Sequence, residues 1–539
     1  MSKSDGAVAS PKGILGWVER TGNKLPDPVF IFLYLIMALV AISIFLSLIG
    51  VSALHPITVD ENGAPTVISV VSLLSAENIQ RLWVEMPKTF THFHPLGYVL
   101  VVMLGAGVAE RSGFFAAGMR TAVRSAPSFL LTPVTALVAM IGSHAADAGY
   151  VVLIPLAGVL YASAGRHPLV GIAAAFAGVS GGFSANISPG GLDALLFGIT
   201  EEAVAASGLG TDWTTNLAGN WYFIAAMTFV YLPVIWAVTD LIIEKRLGTW
   251  TPGEHMAEEY KAEANSLTAL EKKGLRDGGL AILGVVLLWV IMTLAPGTPL
   301  IDEAACAPGE IEAGQCSIHT TLRPLYSSLV GGFFLIFLMA GWFYGKATGV
   351  IKTHRDLVEM MSEAMKDMGY YLVLSFAAAH FVAMFGWSNL GLVSAIHGAD
   401  AIRASGLPLP IVLGMAVLFT GVLNLFVGSA SAKWALLAPV LVPMLMLLNV
   451  SPEGATAAYR VGDSATNIIT PLMVYFPLIL VFAKKWQPDF GIGSLTAMML
   501  PYSLWLLVSG LILLMAWVFF GWPLGPGAAV DFSISPPSP

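Results

Sequence analysis

Charged residues are scarce in this sequence. Only 11% of its 539 residues are Asp, Glu, Lys or Arg, whereas about 25% is typical of a soluble protein. Hydrophobic residues make up 56% and the mean hydropathy is +0.77, which excludes an ordinary water-soluble enzyme. The net charge of −8 provides no basic surface for a phosphate backbone, so nucleic acid is excluded as a partner.

Cysteine is also scarce. Cys306 and Cys316 are too few for a disulfide scaffold or a cysteine-based zinc site. They lie close together in one polar segment, where a disulfide requires an oxidising compartment. The sequence leaves a bond and two free thiols open.

Long apolar runs, in contrast, occur from end to end and predict a single polytopic membrane domain over residues 1–539. An all-α fold follows, because helices satisfy their own backbone hydrogen bonds in lipid. A span needs roughly 20 apolar residues. Nine runs fit: 29–51, 96–112, 168–187, 218–243, 278–297, 326–348, 369–388, 455–483 and 493–520.

Two further apolar stretches, 127–163 and 409–450, are interrupted by small and polar residues. The first interruption runs from Gly142 to Gly149 and the second from Gly428 to Trp434. Each stretch is either a re-entrant hairpin or a pair of spans. Both interpretations return the chain to the side of the membrane from which it came, so they predict the same topology.

The distribution of positive charge favours one orientation. With the N-terminus inside, 20 of the 26 Lys and Arg residues fall in inner segments and 4 in outer segments, while Lys433 and Arg460 lie at membrane depth. The positive-inside rule therefore predicts a cytoplasmic N-terminus and an external C-terminus. The polar segment 244–277 becomes a cytoplasmic loop.

Each interrupted stretch is followed by a similar sequence. Residues 184–193 read Ser-Ala-Asn-Ile-Ser-Pro-Gly-Gly-Leu-Asp, and residues 464–471, about 280 residues later, read Ser-Ala-Thr-Asn-Ile-Ile-Thr-Pro. In the predicted topology the first hairpin and broken helix (127–193) and the second (409–483) have opposite orientations, which makes them an inverted repeat. Inverted repeats with interrupted helices are typical of secondary transporters, whose site lies near the bilayer midplane.

Interrupted helices also provide groups that can bind ions. Half-helix N-termini attract anions, and freed carbonyls with hydroxyl and amide oxygens suit sodium. Because no Gly-rich Lys-Ser/Thr phosphate loop occurs, an ion gradient is expected to drive the protein, with sodium or protons as the coupling ion and no other cofactor. The candidate ion-coupling residues are Ser143, Asn186, Ser429, Asn467 and Thr470.

Five ionisable residues fall within the interrupted segments: Asp147, Asp193, Lys433, Arg460 and Asp463. Each costs about 2.5–3.5 kcal/mol at the bilayer centre, so they are expected to pair or to line a wet pathway. Arg460 and Asp463, three residues apart, are predicted to pair on one helix face. A loop position at the outer mouth is the alternative for Asp193, and snorkelling to the interface is the alternative for Lys433.

These motifs resemble the p-aminobenzoyl-glutamate transporter (AbgT) family over nearly the whole chain. The resemblance is carried by residues 184–193, by Ser-Ala-Lys-Trp at 431–434 and by Arg-Val-Gly-Asp at 460–463. It implies nine transmembrane helices and two re-entrant hairpins per protomer, and a homodimer with a cytoplasm-facing basin in the bacterial inner membrane. It also implies substrate-binding roles for Asp193, Ser431, Trp434, Arg460 and Asp463, and structural roles at the site for Pro452 and Pro471.

The resemblance implies import of p-aminobenzoyl-glutamate or efflux of antimetabolites such as sulfonamides. Arg460 would bind an anionic group, and Trp434 would stack on the aromatic ring. One alternative is a dicarboxylate transporter of similar architecture. A remote alternative is an intramembrane aspartyl protease with Asp193 and Asp463 as its dyad, which the absence of a Tyr-Asp motif disfavours. No enzymatic activity is expected.

Overall fold

The computed structural model describes residues 26–59, 65–145, 149–209, 213, 216–248, 250, 267–294, 297–306 and 317–533. The first half of the chain forms α1 (Pro28–Leu48), β1 (Ser52–Val59), β2 (Pro65–Ser69), α2 (Ala76–Thr91), α3 (His94–Arg111), α4 (Phe114–Arg124), α5 (Leu131–Gly142), α6 (Ile154–Ser163), α7 (Pro168–Phe176), α8 (Gly191–Ala206), α9 (Trp221–Val238) and α10 (Glu244–Leu247).

The second half forms α11 (Ala269–Ile291), α12 (Ile318–Thr321), α13 (Arg323–Ser327), α14 (Leu329–Thr348), α15 (His354–Asp367), α16 (Gly369–Trp387), α17 (Leu390–Ser405), α18 (Leu409–Asn424), α19 (Ala430–Leu447), α20 (Pro452–Asn467), α21 (Phe476–Trp486) and α22 (Ile492–Phe520). Strands β1 and β2 pair antiparallel. The fold is otherwise helical.

Within the described residues, eight helices are long and apolar enough to cross a membrane, or nine if the bent pair Phe114–Arg124 and Ser128–Gly142 counts as one span. The predicted helical membrane fold is therefore confirmed. Seven of the nine predicted runs are helical over most of their length, whereas 168–187 and 455–483 are interrupted.

Two units, each a helical hairpin followed by an interrupted helix, form the centre of the fold. The first hairpin consists of α5 and α6, and the second of α18 and α19. The first interrupted helix continues from α7 through a π-helical turn at Ala177–Gly181, breaks at 182–190 and resumes as α8. The second interrupted helix is α20, a break at 468–475, and α21. Both begin with proline, at Pro168 and Pro452, where its missing N–H costs nothing.

Close backbone approach holds each interrupted helix against its hairpin. Helix α7 packs on α6, and α20 packs on α18. At the second contact, a Cβ added to Gly462 would lie 2.1 Å from Thr420 Oγ1 and 2.3 Å from the carbonyl oxygen of Val417. Only glycine fits there, as at other close helix crossings in membranes.

Arg166 connects the first hairpin to the helix that follows the first unit. Its guanidinium donates to Asp240 Oδ1 and to Glu244 Oε2, each at 2.6 Å, and to Thr132 Oγ1 of α5 at 2.8 Å. It also lies 4.6 Å from the centre of the Tyr161 ring. Since Asp240 and Glu244 follow α9 directly, this network joins the base of the first hairpin to α9.

Some elements differ from the sequence prediction. The polar segment 244–277 contributes α10 and the first turns of α11, while residues 249 and 251–266 lie outside the described residues. Cys306 is disulfide-bonded, and its predicted partner Cys316 also lies outside them. Helix α15 begins with an exposed capping box formed by Thr353 and Asp356. The backbone N–H groups of Thr353 and Lys352 donate to the Asp356 carboxylate and so lower its pKa.

Candidate functional site

The break of the first interrupted helix contacts the second interrupted helix directly. The backbone N–H of Ser184, in the first break, donates to Ser464 Oγ of α20 at 3.2 Å. Helix α20 also contacts α8, so the two units meet in this region.

A buried salt bridge joins the two units. Arg460 Nη2 of α20 donates to Asp193 Oδ1 at 2.6 Å, and the two side chains are 3% and 4% exposed. The other carboxylate oxygen of Asp193 accepts from the Gly190 N–H at 2.7 Å, at the start of α8. Asp193 is thus a buried residue in the first turn of a helix, so the alternative of a loop position at the outer mouth is wrong.

A second buried salt bridge is formed by Asp463, less than one turn further along α20. Lys433 Nζ donates to Asp463 Oδ1 and to Asn424 Oδ1, and both charged side chains are almost fully buried. The amide of Asn424 donates to the Asp463 carbonyl at 2.8 Å and to Thr466 Oγ1 at 2.9 Å. The predicted pairing of Arg460 with Asp463 is therefore wrong, since each has a partner on another helix. Snorkelling of Lys433 is also excluded.

Trp434 is fully buried beside these ion pairs. Its indole N–H donates to Thr200 Oγ1 of α8 at 2.9 Å. Its ring lies 4.6 Å from the Tyr459 ring with an interplanar angle of 34°, and Tyr459 in turn donates to the Ala430 carbonyl at 2.6 Å. In this conformation Trp434 packs between α8 and α20, and stacking on a ligand requires a rearrangement.

The candidate ion-coupling residues divide between the two units. Asn186 Nδ2 donates to Ser143 Oγ at 3.1 Å, so these two residues are adjacent. Ser429 Oγ lies 3.1 Å from Ser431 Oγ and caps α19. The five candidates thus do not form one cluster of mutual contacts.

Two further candidates belong to the second break. Thr470 Oγ1 donates to the Leu425 carbonyl at 3.5 Å, just before Pro471, and Asn467 is the last residue of α20. Asn467 lines a cavity of about 210 Å³ together with Ser143. Asp147, in the tip of the first hairpin, lies outside the described residues.

Three residues of the site were not predicted from the sequence. Asn424 bridges the second ion pair, and it is the only amide in the apolar run 409–427, which is a signal that was available. No comparable feature of the sequence indicates Thr200. Glu453 is 6% exposed and accepts from the Trp213 indole at 3.3 Å. It lines a small cavity, about 20 Å³, with Asp193 and Arg460, and such a volume holds one water molecule.

Comparisons with known proteins show what this chain is similar to. The chain is 36% identical over 530 residues to the p-aminobenzoyl-glutamate transport protein of Escherichia coli (strain K12), covering 98% of this chain and 99% of that protein. The crystal structure of the Alcanivorax borkumensis YdaH transporter is 39% identical, with a TM-score of 0.83, over 93% of this chain and 100% of the other. Neisseria gonorrhoeae MtrF, described as illuminating a class of antimetabolite efflux pumps, is 39% identical with a TM-score of 0.86, over 96% and 100%.

A family model also covers almost the whole sequence. The model of the AbgT putative transporter family matches residues 13–532, which include both hairpins and both interrupted helices. Sequence identity, shared fold and the paired interrupted helices all agree, and the chain belongs to the AbgT transporter family.

Proposed function

We propose that this transporter uses an ion gradient to carry p-aminobenzoyl-glutamate, or aromatic antimetabolites such as sulfonamides, across a bacterial inner membrane. The N-terminus would be cytoplasmic and the C-terminus periplasmic. The observation that supports the proposal is the pair of buried salt bridges, Asp193 with Arg460 and Lys433 with Asp463. Charges at membrane depth are costly and generally mark a transport pathway.

Each salt bridge acts as a switch in this proposal. Protonation of Asp193 removes the negative charge that holds Arg460, and the guanidinium then binds a substrate carboxylate. Arg460 Nε is buried without a hydrogen-bond partner among the described residues, so the guanidinium keeps a donor for such a ligand. Asp463 and Lys433 work in the same way, and loss of the protons restores both pairs and releases the substrate.

The other predicted site residues have supporting roles. Ser431 donates a hydrogen bond to the ligand, and Trp434 stacks on its ring after the rearrangement noted above. Pro452 and Pro471 keep the ends of the helical segments open. Sodium coupling would depend on hydroxyl, amide and carbonyl oxygens, since the described residues contain no group of three His, Cys, Asp or Glu side chains that could hold a metal ion.

A homodimer is part of the proposal. Large apolar side chains of α11 such as Leu283 and Leu287 are about half exposed, which suits contact with lipid or with a second copy. Cross-linking of single cysteines introduced along α11 in membranes tests which of the two occurs.

Proteoliposomes provide the test of function. Labelled p-aminobenzoyl-glutamate and a labelled sulfonamide are assayed separately under imposed proton and sodium gradients. We expect accumulation under one of these gradients, and its loss in Arg460→Ala. Arg81→Ala is the matched control, because Arg81 forms a more exposed pair with Glu77. Absence of transport under both gradients contradicts the proposal.

A dicarboxylate transporter is the second candidate, because two buried cations, Arg460 and Lys433, suit a ligand with two carboxylates. Competition distinguishes the two functions. If succinate or citrate blocks uptake of the aromatic compounds only weakly, the aminobenzoyl function stands. Strong transport of succinate with no effect of aminobenzoyl compounds favours the alternative.

A further inference from the structure

A cavity of about 210 Å³ lies between the two units. The first unit contributes Ser143 and Tyr150 from its hairpin and Phe183 from its break, and the second contributes Asn467 and Tyr475. Both hairpin tips and both breaks therefore line one cavity. Because its walls come from both repeats, a ligand here contacts the elements that must move against each other during transport.

Two tyrosines form an aromatic pair in this wall. The rings of Tyr150 and Tyr475 are nearly parallel, with centroids 4.3 Å apart and an interplanar angle of 11°. Tyr150 is buried and Tyr475 is half-buried. Parallel rings favour another aromatic ring in an offset stack.

Asn467 adds a polar group to the same cavity. Its side chain is 6% exposed, and Oδ1 has no hydrogen-bond partner among the described residues. A buried acceptor without a partner is unfavourable, and Asn467 is also one of the residues that line the cavity. The chemistry of the wall is thus an aromatic surface next to one unsatisfied acceptor.

We propose that this cavity binds the p-aminophenyl group that p-aminobenzoyl-glutamate and sulfonamides share. Tyr150 and Tyr475 stack on the ring, and Asn467 Oδ1 accepts a hydrogen bond from the arylamine. This inference rests on the proposed function, since it identifies which end of the proposed substrate enters the cavity. It assigns the aromatic contact to the tyrosine pair in place of Trp434, and it assigns an arylamine in place of a sodium ion to Asn467.

Arg460 lines the separate small cavity with Asp193, so it can receive the other end of the substrate only when the two cavities join. Arg460 precedes Asn467 by seven residues on α20, so both lie on the same side of the helix, about 10 Å apart along its axis. A rigid aminobenzoyl group extended by one amino acid can reach from the amine to a carboxylate over such a length. The glutamate carboxylates would then point toward Arg460.

The test pairs changes in the protein with changes in the ligand. Uptake of p-aminobenzoyl-glutamate and of benzoyl-glutamate, which lacks the amine, is measured in proteoliposomes of wild-type protein and its variants. Wild-type protein is expected to prefer the amino compound. Asn467→Ala should remove that preference, because only the amino compound donates to Oδ1.

Aromatic variants test the stack. Tyr475→Leu should raise KM for both compounds about threefold to tenfold, the effect of losing an aromatic contact, whereas Tyr475→Phe should retain the wild-type KM. Tyr150→Leu and Tyr150→Phe should behave in the same way. Tyr34→Leu is the matched control, since Tyr34 is 51% exposed on α1.

The outcomes separate this inference from the function. If wild-type protein transports p-aminobenzoyl-glutamate but does not distinguish it from benzoyl-glutamate, the amine contact is refuted. This result needs only wild-type protein, so it does not depend on whether the variants fold. If Tyr475→Leu and Tyr150→Leu keep the wild-type KM, the stack is refuted while the function stands. Absence of wild-type transport overturns the function and this inference together.

Discussion

Asp193 and Arg460 are 267 residues apart in the chain, yet their side chains meet in a buried ion pair with an oxygen–nitrogen distance of 2.6 Å. One residue belongs to the first repeat and the other to the second. Any movement of one interrupted helix relative to the other must therefore either break this salt bridge or shift both of its residues together. The contact links the conformation of the two repeats to the charge of a single carboxyl group.

Removing one partner of this pair should destabilise the fold. Arg460→Ala leaves Asp193 charged and buried without its partner, which typically costs about 3–5 kcal/mol. The double variant Asp193→Asn with Arg460→Gln carries no buried charge at this point and should recover most of the thermal stability measured in detergent. Transport should remain absent in both variants. Full stability of Arg460→Ala contradicts the prediction.

The second ion pair should control coupling rather than folding alone. In Asp463→Asn the carboxylate can no longer change charge, but the amide oxygen can still accept from Lys433. We expect exchange of labelled for unlabelled substrate to persist while gradient-driven accumulation is lost. Asn424→Ala serves as the comparison, because it removes a neutral partner of Lys433. Normal accumulation by Asp463→Asn assigns the coupling to another group.

These pairings mark the limit of what the sequence predicts. The apolar runs and their breaks predict the helices and both hairpins, because the physical signal of each lies within one segment. The partners of Asp193 and Lys433 are on other helices, and spacing along the chain carries no information about them. The neighbour suggested by spacing, Arg460 with Asp463, was therefore incorrect.

Other differences arose from polar residues within helices. Helix α8 was missed because Glu201 and Glu202 interrupt its apolar pattern, and these acids make contacts with α3, to Tyr98 at 3.1 Å and to His94 at 2.9 Å. The short strands β1 and β2 lie between α1 and α2 and have no membrane signal. The sequence also does not reveal that Tyr459 packs against the ring of Trp434.

Trp434 can be tested for a packing role. Trp434→Phe keeps a ring against Tyr459 but removes the donor of the hydrogen bond to Thr200. Thr200→Val removes the acceptor of the same hydrogen bond. Each single variant should lower stability by about 1 kcal/mol, and the double variant should lose little more. Thermal unfolding of the four proteins measures this cycle.

A further variant, Trp434→Leu, distinguishes packing from ligand stacking when it is compared with Thr200→Val. If Trp434 binds the ring of the ligand directly, Trp434→Leu raises KM far more than Thr200→Val does. If it only positions α8 against α20, the two changes affect transport similarly. A large difference in KM at equal stability would support direct stacking.

Arg166 should determine how firmly the first hairpin is held. Arg166→Ala removes the bonds to Asp240, Glu244 and Thr132 together, so we expect lower thermal stability and faster labelling of a cysteine introduced in the hairpin. Arg166→Lys should rescue only partly, because an ammonium cannot reproduce the bidentate contact to Glu244. Arg276→Ala is the control, as its guanidinium is 67% exposed and pairs with adjacent Asp277. Equal labelling of all variants would exclude a role in holding the hairpin.

Gly462 should be among the least tolerant positions in the second unit. A methyl group there would overlap Thr420 Oγ1 and the Val417 carbonyl, both under 2.4 Å away, and force α18 and α20 apart. Gly421→Ala is a control in the same interface, because its nearest contact, Thr466 Cγ2 at 3.4 Å, is ordinary packing. Overpacking typically costs about 1–3 kcal/mol, so Gly462→Ala should lower the unfolding temperature and slow transport, while Gly421→Ala changes neither. Separation of these helices also moves Asn424 from Asp463, so the two losses should appear together. Retention of both properties by Gly462→Ala would mean that α18 and α20 can separate without affecting the second ion pair.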